Sequence, residues 1–106
     1  MVAPSVREGD DVDVSYAGIS FEADMTAEQA DELARLMEEG RPTRPEGVVT
    51  ALLVYVDGHG RLIAVWRDSE TLDRYLAEAE VPRGVELMRK IGLEPEVRRF
   101  DVLDLG

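Results

Sequence analysis

The chain has no cysteine. That excludes disulfides, thiolate nucleophiles and every cysteine-based metal site, and it agrees with a reducing compartment. Long apolar runs are missing too. Nothing approaches the roughly 20 residues of a membrane span, and the opening MVAPSVREGDDVD has no apolar stretch fit for a signal peptide. The expected location is therefore the cytoplasm. Bases are scarce: 12 Lys and Arg against 23 Asp and Glu leave a formal net charge of −11. The imbalance is concentrated in residues 1–60, with 13 acids against 4 bases, while residues 61–106 carry 10 against 8. Nucleic acid is a poor partner for such a chain, because duplex binding rests on phosphate neutralisation by Lys and Arg. An anionic membrane surface is disfavoured for the same reason.

What remains is the composition of one folded domain. The 106 residues are 44% hydrophobic and 33% charged, which does not suggest disorder. Residues 1–11, with Pro4, Gly9 and Asp10-Asp11, read as a flexible polar arm, and residues 12–106 as a single domain. Val12–Glu22 is rich in β-branched and aromatic residues and predicts a strand. Its apolar parity changes midway: Val12, Val14 and Tyr16 share one face, Ala17, Ile19 and Phe21 the other. Either a bulge sits near Gly18 or both faces are covered.

The first helix carries its own punctuation. Thr26 and Gln29 have the spacing of a capping box, and Met25 and Ala30 that of a hydrophobic staple. Ala30, Leu33, Ala34 and Met37 recur at helical spacing, and Gly40 is the expected stop. After a proline-bearing loop over residues 41–47, Val48–Val56 is apolar on both parities, the pattern of a strand buried on both faces. Asp57-Gly58-His59-Gly60 predicts a hairpin turn into the strand Arg61–Trp66. Asp68 or Ser69 caps a second helix with a Leu72, Tyr75, Leu76, Ala79 stripe, which Pro82 interrupts or reopens. Val85, Met88 and Ile91 continue the apolar face, Gly92 ends it, and Val97–Leu105 predicts the last strand.

The order β-α-β-β-α-β is that of an α+β, ferredoxin-like subunit: an antiparallel four-stranded sheet with helices on one face. Two helices cover one face only, yet Val48–Val56 is apolar on both. Pairing of two such sheets across a two-fold axis hides the remainder, so a homodimer is expected.

Reactive constellations are sparse. There is no Ser-His-Asp grouping, phosphate-cradling glycine loop or dinucleotide fingerprint, and one histidine with scattered acids makes no metal site. His59, between two glycines, reads as exposed turn decoration rather than a general base. Trp66 and Tyr16 read first as core aromatics. No metal and no cofactor are expected.

The segment Val65-Trp66-Arg67-Asp68-Ser69-Glu70-Thr71-Leu72-Asp73-Arg74-Tyr75-Leu76 resembles the dimeric α/β-barrel superfamily, which includes the antibiotic-biosynthesis and haem-degrading monooxygenases. Its pattern is an apolar strand ending in Trp, a polar helix cap, then a helix with aromatic residues. The Thr26-Ala27-Glu28-Gln29 start and the Gly92 to Pro95 exit are also similar. The resemblance implies a barrel closed by two sheets, with a pocket between each sheet and its own helices. It would place Ala17, Ile19 and Phe21 toward the partner, and Tyr16, Gly18, Ser20 and Trp66 toward the helices as ligand-binding residues. The haem-degrading branch has an Asn where Gly18 stands and a His on the second helix, and Pro82–Ile91 has none. Haem chemistry is therefore not expected. The function implied is binding of a small apolar or aromatic molecule, with cofactor-independent oxygenation as the activity. The alternative is a non-catalytic structural or interaction module without a usable pocket.

Overall fold

The computed structural model of the chain describes residues 16–105. The arm over residues 1–11 and the first residues of the expected strand lie outside them. Strand β1 (Tyr16–Asp24) leads to helix α1 (Ala27–Gly40) and a 3-10 turn (Arg41–Thr43). Strands β2 (Val48–Val56) and β3 (His59–Trp66) form a hairpin, followed by α2 (Ser69–Glu78), α3 (Arg83–Lys90) and β4 (Glu96–Val102). The sheet is antiparallel throughout, in the order β2-β3-β1-β4. This is the ferredoxin-like α+β arrangement, with the second helix broken in two at Pro82.

The local signals are used much as their chemistry requires. Gln29 N–H donates to Thr26 Oγ1 at 3.1 Å and Thr26 N–H donates to Gln29 Oε1 at 2.9 Å, the reciprocal capping box. Asp68 caps α2 by accepting from Thr71 N–H at 2.7 Å. Gly92, at φ 84°, ends α3, and Leu93 N–H returns to Met88 O at 2.9 Å. Gly40 does not stop α1 by a left-handed turn; its φ is −87°. It is small because the Arg83 side chain packs where a Cβ would stand.

Several expectations are corrected. The β2–β3 turn is only Asp57-Gly58, both at positive φ (49° and 81°), the two-residue type that suits strand twist. His59 is consequently a ladder residue paired with Asp24, not a turn tip. Strand β1 pairs continuously on both sides; the irregularity falls in β2, between Val48 and Thr50. Strand β4 ends at Val102 rather than Leu105.

A further correction concerns which face of β1 meets the helices. Ala17 pairs with Trp66, Ile19 with Ala64 and Phe21 with Leu62. Directly opposed residues share a face, and this one carries the core. Ala17, Ile19 and Phe21 are buried there with Leu33, Leu72, Val85 and Met88 from the helices, and the Phe21 ring lies against Gly84 of α3. Tyr16, Gly18 and Ser20 alternate onto the opposite, helix-free face. The physical reason is polarity and fit: the all-apolar set Ala17, Ile19 and Phe21 joins the core under the helices, while Ser20 bonds Glu22 on the other face and Gly18 there makes room for the Phe100 ring.

Candidate ligand cleft between sheet and helices

A cleft of about 100 Å³ opens between the helix side of the sheet and the helices. Ile19, Ala51, Ala64 and Trp66 contribute its floor, Met37 and Leu87 its walls. Small residues from the middle of β2 and β3 leave the space: Ala51 and Ala64 are directly paired. Trp66 ends β3, is 2% exposed, and packs on Tyr75 of α2 with ring centroids 4.9 Å apart at 36°. The benzo edge of Trp66 is covered by Gly47, at φ 104°, where a side chain would also strike Thr71. Gly47 O accepts from Arg67 N–H at 2.9 Å, so the loop over residues 41–47 is tied to the end of β3 beside the cleft.

Two hydrogen-bond donors in this wall are unused among the described residues. The Trp66 indole N–H has no partner despite its burial. Tyr75 Oη accepts from Arg83 N–H at 2.8 Å, which leaves its own proton without an acceptor. Buried polar groups are nearly always paired, so an orphaned donor calls for a ligand or water. Arg83 braces the mouth: its guanidinium donates to Thr43 O at 2.6 Å and Gly40 O at 2.7 Å, joining α3 to the end of α1.

Of the four residues expected to bind a ligand, the cleft contains Trp66. Tyr16, Gly18 and Ser20 are on the other side of the sheet and do not join it. Ser20 Oγ donates to Glu22 Oε2 at 3.2 Å in a separate polar group. Within that group His59 contacts Glu22 at 3.2 Å and Asp24 at 3.0 Å, with Arg61 and Arg98 3.5 and 3.6 Å from the Glu22 carboxylate. The His59 hydrogen bond, then the arginine charges and the Ser20 hydroxyl, hold the Glu22 carboxyl below its ordinary value against the effect of burial. Hydrogen bonds to Asp24 first, then Glu22, push His59 up. No group of three or more potential metal ligands converges among the described residues. Arg44 and Arg83 of the cleft were not singled out from sequence, and Tyr75 was read only as part of the buried stripe of its helix. Tyr75 does fall in the Trp66–Leu76 segment that carried the resemblance.

No family model and no curated protein matches the sequence. Its fold does match solved structures, putative antibiotic biosynthesis monooxygenases among them. A protein of unknown function from Nitrosomonas europaea superposes with a TM-score of 0.61 at 11% identity, covering 88% of this chain and 94% of that one. A putative antibiotic biosynthesis monooxygenase from Chloroflexus aurantiacus gives 0.54 at 17% identity, over 86% and 94%. SnoaB, a cofactor-independent oxygenase from Streptomyces nogalater, gives 0.52 at 15% identity, over 82% and 89%.

Proposed function

We propose that this protein is a homodimer in which each subunit binds a small, largely apolar or aromatic molecule in the cleft between sheet and helices, and acts on it as a cofactor-independent oxygenase. The observation that carries the reading is the unpartnered N–H of Trp66, a buried residue that lines an apolar cleft together with Tyr75. Two donors on one wall favour the anion of a bound phenol-like substrate, as donors aimed at a developing oxyanion do. Such an anion is the electron-rich form that reacts with dioxygen, the co-substrate. One oxygen atom would enter the ring, which is oxidised to the quinone level, and the other would leave as water, with the substrate itself supplying the electrons. The described residues of the cleft include no carboxylate or histidine to act as a base, so the substrate would give up its proton to water.

Dimer formation is supported by the helix-free face. Leu52, Val54 and Phe100 are 43%, 37% and 38% exposed on it, the first two on edge strand β2 and the third on β4 at the opposite edge. Large apolar side chains left exposed across a sheet face that no helix covers favour a partner that would hide them.

The test is ligand-induced stabilisation. Planar phenols should raise the melting temperature of the wild type, and Trp66→Phe should diminish that gain by roughly 0.5–1.5 kcal/mol of binding, the worth of one neutral hydrogen bond. If Trp66→Phe lowers the melting temperature and leaves ligand stabilisation untouched, the indole is a packing residue only. A second reading, a non-catalytic module, is favoured by the size of the cleft. About 100 Å³ is room for one ring at most, since a cavity of about 150 Å³ is known to hold benzene.

A further inference from the structure

The charge around the cleft is opposite to that of the chain. In a protein with 23 acidic and 12 basic residues, the cleft lining contains Arg41, Arg44 and Arg83 and neither Asp nor Glu. The three arginines have different commitments. Arg41 pairs with Glu38 at 3.4 Å. Arg83 is spent on the backbone carbonyls of Gly40 and Thr43 and on Thr43 Oγ1, so its hydrogen bonds are used while its charge is not neutralised. Arg44 is exposed, follows the 3-10 turn, and has no partner among the described residues. An unpaired guanidinium at the rim of an apolar cleft, in a lining that also holds a cation without counter-charge, is a receptor for an anionic group.

We infer that the cleft takes an organic anion, a single aromatic ring or short apolar body bearing a carboxylate or similar group, with Arg44 reading the anion; this rests on the cleft being the ligand site proposed above. The apolar body sits over Ala51 and Ala64, and the charged end stays at the mouth, where water and Arg44 share its solvation. The volume limits the body to about one ring. The rim excludes cations. The surrounding acidity of the chain does not prevent entry at physiological salt, because exposed charges farther than a Debye length of about 8 Å are largely screened.

The only tryptophan of the chain is in the cleft, so its fluorescence reports occupancy of this site and no other. Wild type and Arg44→Gln are titrated with para-nitrobenzoate and with para-nitrobenzamide, quenchers of nearly equal shape that differ in charge. The wild type should bind the acid more tightly than the amide, by on the order of fivefold for one partly exposed charge pair. Arg44→Gln should erase that preference and leave the amide unchanged, Arg44→Lys should keep part of it, and added salt should weaken the acid alone. Saturable quenching by the amide with no preference for the acid, or a preference that survives in Arg44→Gln, overturns the anion assignment and leaves the cleft as a ligand site. No saturable quenching by either probe overturns both.

Discussion

The two faces of this sheet are made from the same four strands and have opposite fates. On one, Leu33, Leu72 and Met88 descend from the helices and are wholly buried against Ala17, Ile19, Phe21 and Leu62. On the other, Leu52, Val54 and Phe100 keep more than a third of their surface in water, and a polar group of Glu22, His59, Arg61 and Arg98 occupies one end. The difference shows that strand alternation alone does not say which side of a sheet is completed within its own chain. The helices decide it, and they leave the second side to something else.

The sharpest way to separate the faces is to damage each. Leu72→Ala removes a fully buried side chain from the helix side and should lower unfolding free energy by about 2–5 kcal/mol in urea titration. Leu52→Asp on the other side should leave a folded subunit with unchanged circular dichroism. It should reduce the mass measured by light scattering from twice that of the chain to once, since an unpaired charge is not tolerated in a dry interface. If Leu52→Asp unfolds the protein as Leu72→Ala does, the second face is core and not interface; if the wild type is already monomeric, the dimer is wrong.

The smallest effect belongs to the polar end of the open face. His59 is raised by its carboxylate neighbours, so its contribution to stability is full below its ordinary value of 6.5 and fades as pH rises through the higher folded value. Glu22 is depressed, so its contribution is full above its ordinary 4.5 and is lost as pH falls through the lower folded value. Both are present between these two pH values. His59→Gln should therefore differ most from wild type in melting temperature near the middle of that window and converge with it in mildly alkaline buffer. A difference independent of pH would mean that His59 acts by packing.

The sequence made the element order legible because its punctuation is local: the Thr26–Gln29 box, the Asp57-Gly58 turn, Pro82 and Gly92 each act within a few residues. The orientation of β1 was not local. Tyr16 and Ala17 are both credible core residues, and only the pairing of Ala17 with Trp66 assigns them to faces. The reversal carried Gly18 and Ser20 away from the cleft with it. His59 was misread because a two-residue turn, rather than a four-residue one, puts it in the ladder opposite Asp24. Of the cleft, Trp66 was visible through the segment that follows it. Arg44 was not, since a loop residue between two prolines has no periodicity and acquires its place only when the 41–47 segment lies down beside Trp66.

Gly18 and Phe100 have a consequence beyond packing. Strand β4 is an edge strand whose residues up to Asp101 are all exposed, and beyond its ladder it is held to its neighbours by Arg98 at Glu22, Arg99 at Asp73 and the Phe100 ring. A ring resting where a side chain on residue 18 would be makes the alignment of the two strands a matter of lock and tenon, and a slip of one residue would turn the ring to the wrong side. The two positions are then free to vary only together. A lineage that acquires a larger residue at 18 must shrink the one at 100, and reciprocal change at these sites is the trace that descent from this chain should leave.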